Sequence, residues 1–217
     1  IHRRCAILNA KKFSALEYHS SNGTDFRVGL IADGVFCGAA EKDLSGRVFN
    51  PNIPSEEIFT SPRRGDAEGL LVATKPLSWQ GALIEDFSVR FHRGKAVEVK
   101  AKSNQKVLEK IISMDKGAPY LGECALISYD SPINRSGILF YNTLFDENAC
   151  CHVALGRGFD NCVENYEKYT ARELRAKGIN DSMIHVDFMI GSRDLEIDGI
   201  APDGKKVPVF RDGTWCF

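Results

Sequence analysis

Several classes of protein are excluded by what this sequence lacks. No apolar stretch approaches the roughly 20 residues of a membrane helix, and the first residues do not form a secretory signal. Neither sign of charge dominates, since 28 lysines and arginines almost cancel 29 aspartates and glutamates. The chain therefore has no long-range field that would steer it to nucleic acid or to an anionic membrane. We expect neither of these partners.

Paired cysteine spacings are also missing. The seven cysteines are an odd number and lack the spacing of a zinc finger or of a disulfide framework, which predicts reduced thiols in a cytoplasmic protein. Cys151 precedes His152, but neighbouring residues of a strand point to opposite faces, so this pair does not predict a thiolate nucleophile. The chain begins at Ile1 rather than at methionine, which indicates a processed product or a part of something longer.

The residue pattern predicts an α+β fold in a single domain, 1–217. The composition, 43% hydrophobic and 26% charged, is that of a core-forming globular protein. Residues 87–101 alternate around a polar turn and predict a hairpin. Residues 195–217 hold three short apolar segments between turn residues, which predicts a C-terminal antiparallel meander. Helices are predicted only for residues 104–114 and 162–177, so the sheets should be mixed and largely antiparallel.

Six side chains have the chemistry of metal ligands: Glu57, Glu123, Glu147, His152, His185 and Asp187. The tightest group is His185-Val186-Asp187, inside an apolar run typical of a strand. Because the side-chain period of a strand is two, His185 and Asp187 should share one face, with Ile184, Val186 and Phe188 on the other. A solvated strand face would also explain an isolated His-x-Asp pair.

Each of the other four has an ordinary explanation when it is taken alone. Glu57 follows a Pro-Ser pair and fits the first turn of a helix, where acidic residues are favoured. Glu147 and His152 flank one polar turn after an apolar, strand-like segment, and both fit a plain loop. Glu123 interrupts an apolar stretch, and burial of an unpaired carboxylate is unfavourable. It should therefore lie at an exposed edge or beside a cation.

Convergence of the six residues would require cations. Four carboxylates in one low-dielectric pocket repel one another strongly unless positive charge balances them. Two divalent cations would do so, and a mixture of imidazoles and carboxylates suits zinc, cobalt or manganese better than calcium or magnesium. A carboxylate-pair glycosidase would use the same acids, but it leaves both histidines unexplained.

Longer motifs carry a family resemblance. They are NPNIPSEEIFT (50–60), TKPLS (74–78), YLGE (120–123), ILFYNTLFDEN (138–148), HVDFMIG (185–191), DGI (198–200) and PVFRDG (208–213). These motifs resemble the peptidase family M29 aminopeptidases. They are long, ordered and spread over nearly the whole chain, so the resemblance is specific.

The resemblance implies a cytoplasmic, homodimeric metalloaminopeptidase that removes single N-terminal residues from peptides with two divalent metal ions and a metal-activated water. Position by position, the six candidate residues fall on the family's metal-centre residues, and Glu123 resembles the carboxylate that both ions share. For Glu147 we also predict a catalytic role as the general base that carries a proton to the leaving amine.

Two departures from the family pattern support an alternative function. Members of the family carry a further domain of similar size before this region, so the chain should correspond to about the C-terminal half. The family also tends to place a tyrosine seven residues after the histidine at 152, where this sequence has Phe159. Either another group, such as Tyr166 or water, supplies the missing hydrogen bond, or turnover is weaker than in the family at large. The alternative is a fragment that binds metal or dimerises without turnover.

Overall fold

The computed structural model describes residues 1–43 and 45–217. The α-helices in these residues are α1 (His2–Lys11), α2 (Gln105–Ile111), α3 (Pro132–Ser136), α4 (Thr143–Asp146) and α5 (Ala171–Lys177). Short 3-10 turns cover Glu147–Ala149, Asp160–Cys162 and Tyr166–Lys168. The strands are β1 (Ala15–His19), β2 (Asp25–Leu30), β3 (Glu41–Lys42), β4 (Val48–Phe49), β5 (Ile58–Thr60), β6 (Pro62–Val72), β7 (Leu77–Trp79), β8 (Ala82–His92), β9 (Lys95–Ser103), β10 (Leu121–Leu126), β11 (His152–Gly156), β12 (His185–Met189), β13 (Glu196–Ile200), β14 (Lys206–Arg211) and β15 (Thr214–Trp215). None of the helices described here combines the length and the apolar character needed to cross a membrane.

Two sheets form most of the molecule. The larger sheet has the strand order β15-β14-β13-β1-β2-β6-β8-β7, and β9 pairs with β8. The smaller sheet has the order β12-β11-β10-β5, while β3 and β4 form a separate ribbon. Every strand pairing in the described residues is antiparallel. The predicted α+β fold with largely antiparallel sheets is confirmed.

The predicted hairpin and the predicted C-terminal meander are both present. Strands β8 and β9 pair from Glu85 to His92 around a turn in which Arg93 and Gly94 have φ values of 49° and 78°. Strand β13 pairs with β14, and β14 pairs with β15. Both features depend on neighbours in the chain, and local turn chemistry is enough to predict them.

The helix predictions are only partly confirmed. The helix predicted for 104–114 is present as α2 but ends at Ile111. The helix predicted for 162–177 is wrong in its first half, because Asn165 adopts a left-handed φ of 55°, which interrupts an α-helix. Helix α5 begins only after Thr170, whose side chain forms a capping box with Glu173. Helices α1, α3 and α4 were not predicted.

One hydrophobic core joins the two sheets. The rings of Phe87 in β8 and Phe188 in β12 meet with centroids 5.5 Å apart. Leu8 of α1 and Leu108 of α2 are buried in the same core. Because Val186 and Phe188 point into this core, the opposite face of β12 is turned away from it. That face of the smaller sheet carries the candidate site.

Candidate metal centre

Strand β12 presents His185 and Asp187 on one face, as the period-two pattern predicts. Val186 and Phe188 are buried in the core behind them. The strand face is not a solvated one, since Asp187 is only 5% exposed. The Nε2 atom of His185 lies 3.1 Å from Oδ1 of Asp187 and 3.1 Å from Oε2 of Glu123.

The register of the smaller sheet places two carboxylates in one row. Glu123 of β10 pairs with Ala154 of β11, and Ala154 pairs with Asp187 of β12. Directly paired residues of antiparallel strands point to the same face. The two carboxylates therefore lie on either side of Ala154, whose methyl side chain leaves room between them. His185 similarly lies opposite Gly156.

A bulge at Gly122 directs Glu123 to this face. The register between β10 and β11 shifts between Leu121 and Glu123, and a bulge of this kind re-aims the side chain that follows. A Cβ on Gly122 would lie 2.1 Å from the carbonyl oxygen of Arg157, so the position requires glycine. Strand β10 is an inner strand and Glu123 is 4% exposed. Of the two expectations for Glu123, the exposed edge is wrong.

Glu57 and His152 join the same face from the other end of the sheet. His152 pairs with Ala125, and Ala125 also pairs with Phe59 of β5. Glu57 precedes Phe59 by two positions and lies directly before β5. The helical explanation for Glu57 is therefore wrong, because the chain here enters a strand that pairs with β10. The Nε2 atom of His152 lies 3.5 Å from Oε2 of Glu57.

Five of the six predicted residues form two groups with one member in common. The ligand atoms of Glu57, Glu123 and His152 all lie within 4.8 Å of one another, and so do those of Glu123, His185 and Asp187. Glu123 belongs to both groups, which is the arrangement that a carboxylate shared by two ions requires.

Glu147 lies beside these groups but belongs to neither. It begins the 3-10 turn after α4 and lines the same cleft as the ligands. The apolar segment before it is not a strand, because Asn142 caps α4 by accepting a hydrogen bond from the backbone N–H of Leu144. Burial, together with the charges of Asp187, Glu57 and Glu123, raises the pKa of Glu147 to about 9.

Without cations, three carboxyl groups of the site have pKa values above the ordinary range. Burial and the charge of Asp187 raise the pKa of Glu57 to about 7, and burial raises the pKa of Glu123 to about 7. Burial disfavours the charged form of His185, yet its contacts with Asp187 and Glu123 raise its pKa to about 11. In the metal-free site, protons on these side chains thus offset the negative charge that cations would otherwise balance.

Backbone carbonyls fix the orientation of both imidazoles. The Nδ1 atom of His185 lies 2.7 Å from the carbonyl oxygen of Arg157, and Nδ1 of His152 lies 3.3 Å from the carbonyl oxygen of Cys150. A carbonyl only accepts hydrogen bonds, so both Nδ1 atoms donate and Nε2 is the atom of each ring that is left for a cation. At His185 the cation would displace the proton that is directed to Glu123.

Two orphaned polar atoms support the fit of this site to metal ions. The Nε2 atom of His152 and Oδ1 of Asp187 are buried and have no hydrogen-bond partner in the described residues. Oδ1 is close to His185, but the single proton on that Nε2 is directed to Glu123. Burial of such atoms without a partner costs about 1–3 kcal/mol each. The mixed nitrogen and carboxylate set would satisfy both atoms with zinc, cobalt or manganese.

The centre opens into a cleft of about 260 Å³. Its wall contains Phe59 and Phe159, whose rings pack edge to face with centroids 5.3 Å apart. Asn161 and Leu144 also line it. The sequence analysis singles out Phe159 but misses Phe59, Asn161 and Leu144, although the spacing of Phe59 from Glu57 places both on one strand face and could have indicated Phe59.

Known proteins resemble this chain closely. The sequence model of the thermophilic metalloproteases (M29) matches residues 1–215. Aminopeptidase AmpS of Bacillus subtilis is 44% identical over 217 residues, which cover 100% of this chain and 53% of AmpS. Aminopeptidase T of Thermus aquaticus is 44% identical over 216 residues, 99% of this chain and 52% of that protein. The chain thus spans about half the length of the curated relatives it matches.

Two solved structures share the fold. The structure of wild-type AmpT from Thermus thermophilus superimposes with a TM-score of 0.93 at 42% identity and covers 100% of this chain and 53% of that one. A 2,5-dihydroxypyridine dioxygenase from Pseudomonas putida KT2440 superimposes with a TM-score of 0.60 at 16% identity and covers 99% of this chain and 58% of that one. The second likeness concerns the fold alone.

Proposed function

This chain belongs to the thermophilic metalloprotease family M29, and we propose that residues 1–217 form the catalytic domain of a metalloaminopeptidase. The substrate would be a peptide, and the reaction the hydrolysis of its N-terminal peptide bond. The observation that carries the proposal is the pair of ligand groups that share Glu123 and border a cleft. Relatives that bear the name aminopeptidase support the reaction class.

We assign one divalent cation to Glu57, Glu123 and His152, and a second to Glu123, His185 and Asp187. Zinc, cobalt and manganese suit this donor set. Such ions supply charge that lowers the pKa of a coordinated water to about 7 and polarises the scissile carbonyl. The chain's own contribution is to hold the carboxylates and both Nε2 atoms in place through the sheet register and the backbone carbonyls.

Glu147 is the proposed proton carrier and the sixth member of the ligand set. Its carboxyl group lies next to the centre, outside both groups and on the cleft wall. From that position a carboxylate oxygen accepts a proton from the attacking water and passes it to the leaving amine. Homodimerisation and a cytoplasmic location stay predictions of the family resemblance.

The alternative is a metal-binding fragment without turnover. Phe159 favours it, since this position supplies no hydroxyl group to the cleft.

Metal content and activity together separate the two functions. The purified protein should bind two zinc or cobalt ions and release the amino acid from a leucine or arginine anilide. Glu147→Gln should retain metal in both groups but lose activity by about 100-fold or more, the usual effect of removing a general base. Two bound ions without release at any metal loading would support the alternative. Failure to bind metal would refute both functions.

A further inference from the structure

The cleft extends past the metal ligands to a carboxylate that the centre does not use. We propose that Glu41 binds the cationic side chain of the substrate's N-terminal residue, so that peptides beginning with arginine or lysine are preferred. This inference rests on the proposed aminopeptidase function and names the residue that selects among its substrates.

An aromatic wall connects the centre to Glu41. The ring of Phe159 lies 4.9 Å from the ring of His185 and 5.3 Å from that of Phe59, measured between centroids. Two residues beyond Phe159, the Nδ2 atom of Asn161 donates a hydrogen bond of 3.4 Å to Oε1 of Glu41. Phe159 thus contacts a proposed metal ligand, and Asn161, two positions later in the chain, contacts Glu41.

Backbone pairing holds Glu41 at the rim of the cleft. Cys37 forms an isolated bridge with Phe59, in which each backbone N–H donates to the other's carbonyl oxygen at 2.8 and 2.9 Å. The chain then passes Gly38 and Ala39, which line the cleft, before it reaches β3. The position of Glu41 therefore follows from a hydrogen-bonded segment beside the centre, although its side chain is exposed.

The charge of the cleft is complementary to a basic side chain. Two divalent cations would balance the carboxylates of the four acidic ligands, and Glu41 would then remain as uncompensated negative charge. Among the described residues that line the cleft there is no lysine or arginine. An aliphatic stem would lie along the aromatic rings and its cationic end would reach Glu41. An acidic N-terminal residue would be repelled by the same carboxylate.

Glu41 is better placed to bind the side chain of the substrate's N-terminal residue than to bind its α-amine. The α-amine is two bonds from the scissile carbonyl carbon, so it must lie beside the metal ligands. Glu41 belongs to neither ligand group, lines the same cleft and is hydrogen-bonded to Asn161. The two occupants predict different selectivities, which makes the choice testable.

The test compares substrates that differ in one charged group. We would measure kcat/KM of the zinc- or cobalt-loaded protein for the 7-amido-4-methylcoumarin derivatives of lysine, arginine, norleucine and glutamate at low salt. Norleucine has the stem of lysine without its ammonium group. Glu41→Gln should lower kcat/KM for lysine and arginine about fivefold, whereas kcat/KM for norleucine should change less than about twofold. The lysine preference should also weaken with added salt.

Two further variants control the test. Glu109→Gln removes the same charge from the exposed surface of α2 and should leave kcat/KM unchanged for every substrate. Asn161→Ala, which removes the hydrogen bond that positions Glu41, should raise KM for lysine more than it raises KM for norleucine. If Glu41→Gln lowered kcat/KM equally for all four substrates, or did not lower it for lysine, the inference would be overturned. If the unmodified protein bound two ions yet hydrolysed none of the four, the proposed function would be refuted and the inference with it.

Discussion

The ring of Phe159 packs against the imidazole of His185, with 4.9 Å between their centroids. His185 is the ligand whose Nε2 atom lies nearest to two carboxylates, Glu123 and Asp187. The aromatic ring therefore packs on a proposed metal ligand but offers no hydroxyl group, at a position where the family resemblance implies tyrosine. Substitutions of Phe159 can separate two roles of this position, the packing against His185 and the supply of a hydrogen bond to the reaction.

Phe159→Tyr should raise kcat about fivefold, because one added hydrogen bond to the reacting groups is worth roughly 1 kcal/mol. The ring and its packing on His185 are retained, so metal content should not change. Phe159→Leu is the matched control, since it removes the ring without adding a hydroxyl group, and it should not raise kcat. Steady-state kinetics and metal analysis provide both values. An unchanged kcat in Phe159→Tyr would show that this position does not limit turnover.

Glu123→Ala should abolish the binding of both metal ions, whereas Glu57→Ala should abolish the binding of one. The reason is that Glu123 belongs to both ligand groups and Glu57 to one. Metal content after dialysis, with calorimetric titration of zinc, measures the difference. Glu109→Ala on α2 serves as a control for the loss of a carboxylate far from the ligand groups. Retention of one tight ion in Glu123→Ala would contradict the shared role of this residue.

The metal-free protein should lose stability as the pH rises from about 5 to about 9. The pKa values of Glu57 and Glu123 in the folded chain, about 7, and of Glu147, about 9, all exceed their ordinary value of 4.5. The folded state therefore binds more protons than the unfolded state over this range, and the free energy of unfolding falls. Above pH 6.5 the raised pKa of His185, about 11, acts in the same direction.

Metal should reverse this pH dependence, because cations compete with protons for the same atoms. The Tm in the presence of chelator should fall between about pH 5.5 and pH 8.5, and the increase in Tm on adding zinc should grow over the same interval. Glu57→Gln should flatten the metal-free curve, since it removes one of the titrating groups. A metal-free Tm that rises with pH would contradict the proton-filled site.

Ala154→Val should weaken metal binding at least 10-fold while the fold is retained. Ala154 lies between Glu123 and Asp187 in the row across β10, β11 and β12. A larger side chain there separates the two carboxylates, and a misplaced supporting group commonly costs 10- to 100-fold in metal affinity. Val153→Ala, on the core face of β11, is the contrasting variant. It should lower the Tm with little change in zinc affinity, and the opposite pattern would exclude the spacer role of Ala154.

Much of the site could be predicted from local patterns. The alternation in β12 placed His185 and Asp187 on one face, and the turn signals predicted the β8–β9 hairpin and the C-terminal meander. The six candidate residues have the chemistry of metal ligands, and their convergence would require cations. These features depend on residues close together in the chain, where the side-chain period and turn residues act directly.

The tertiary structure decided what depends on distant pairings. The bulge at Gly122 and the register across Ala154 bring Glu123 and Asp187 together, although 64 positions separate them in the sequence. A slip of one residue would turn either carboxylate toward the core. Contacts between distant parts of the chain also decide that Glu147 lies outside both ligand groups. They likewise decide the route of the chain from Cys37 to Glu41. The sequence by itself determined which side chains could bind metal and which face of each strand they share, because both follow from residue chemistry and strand period. Only long-range strand pairing decided which of them meet, because register is set by packing of the whole sheet.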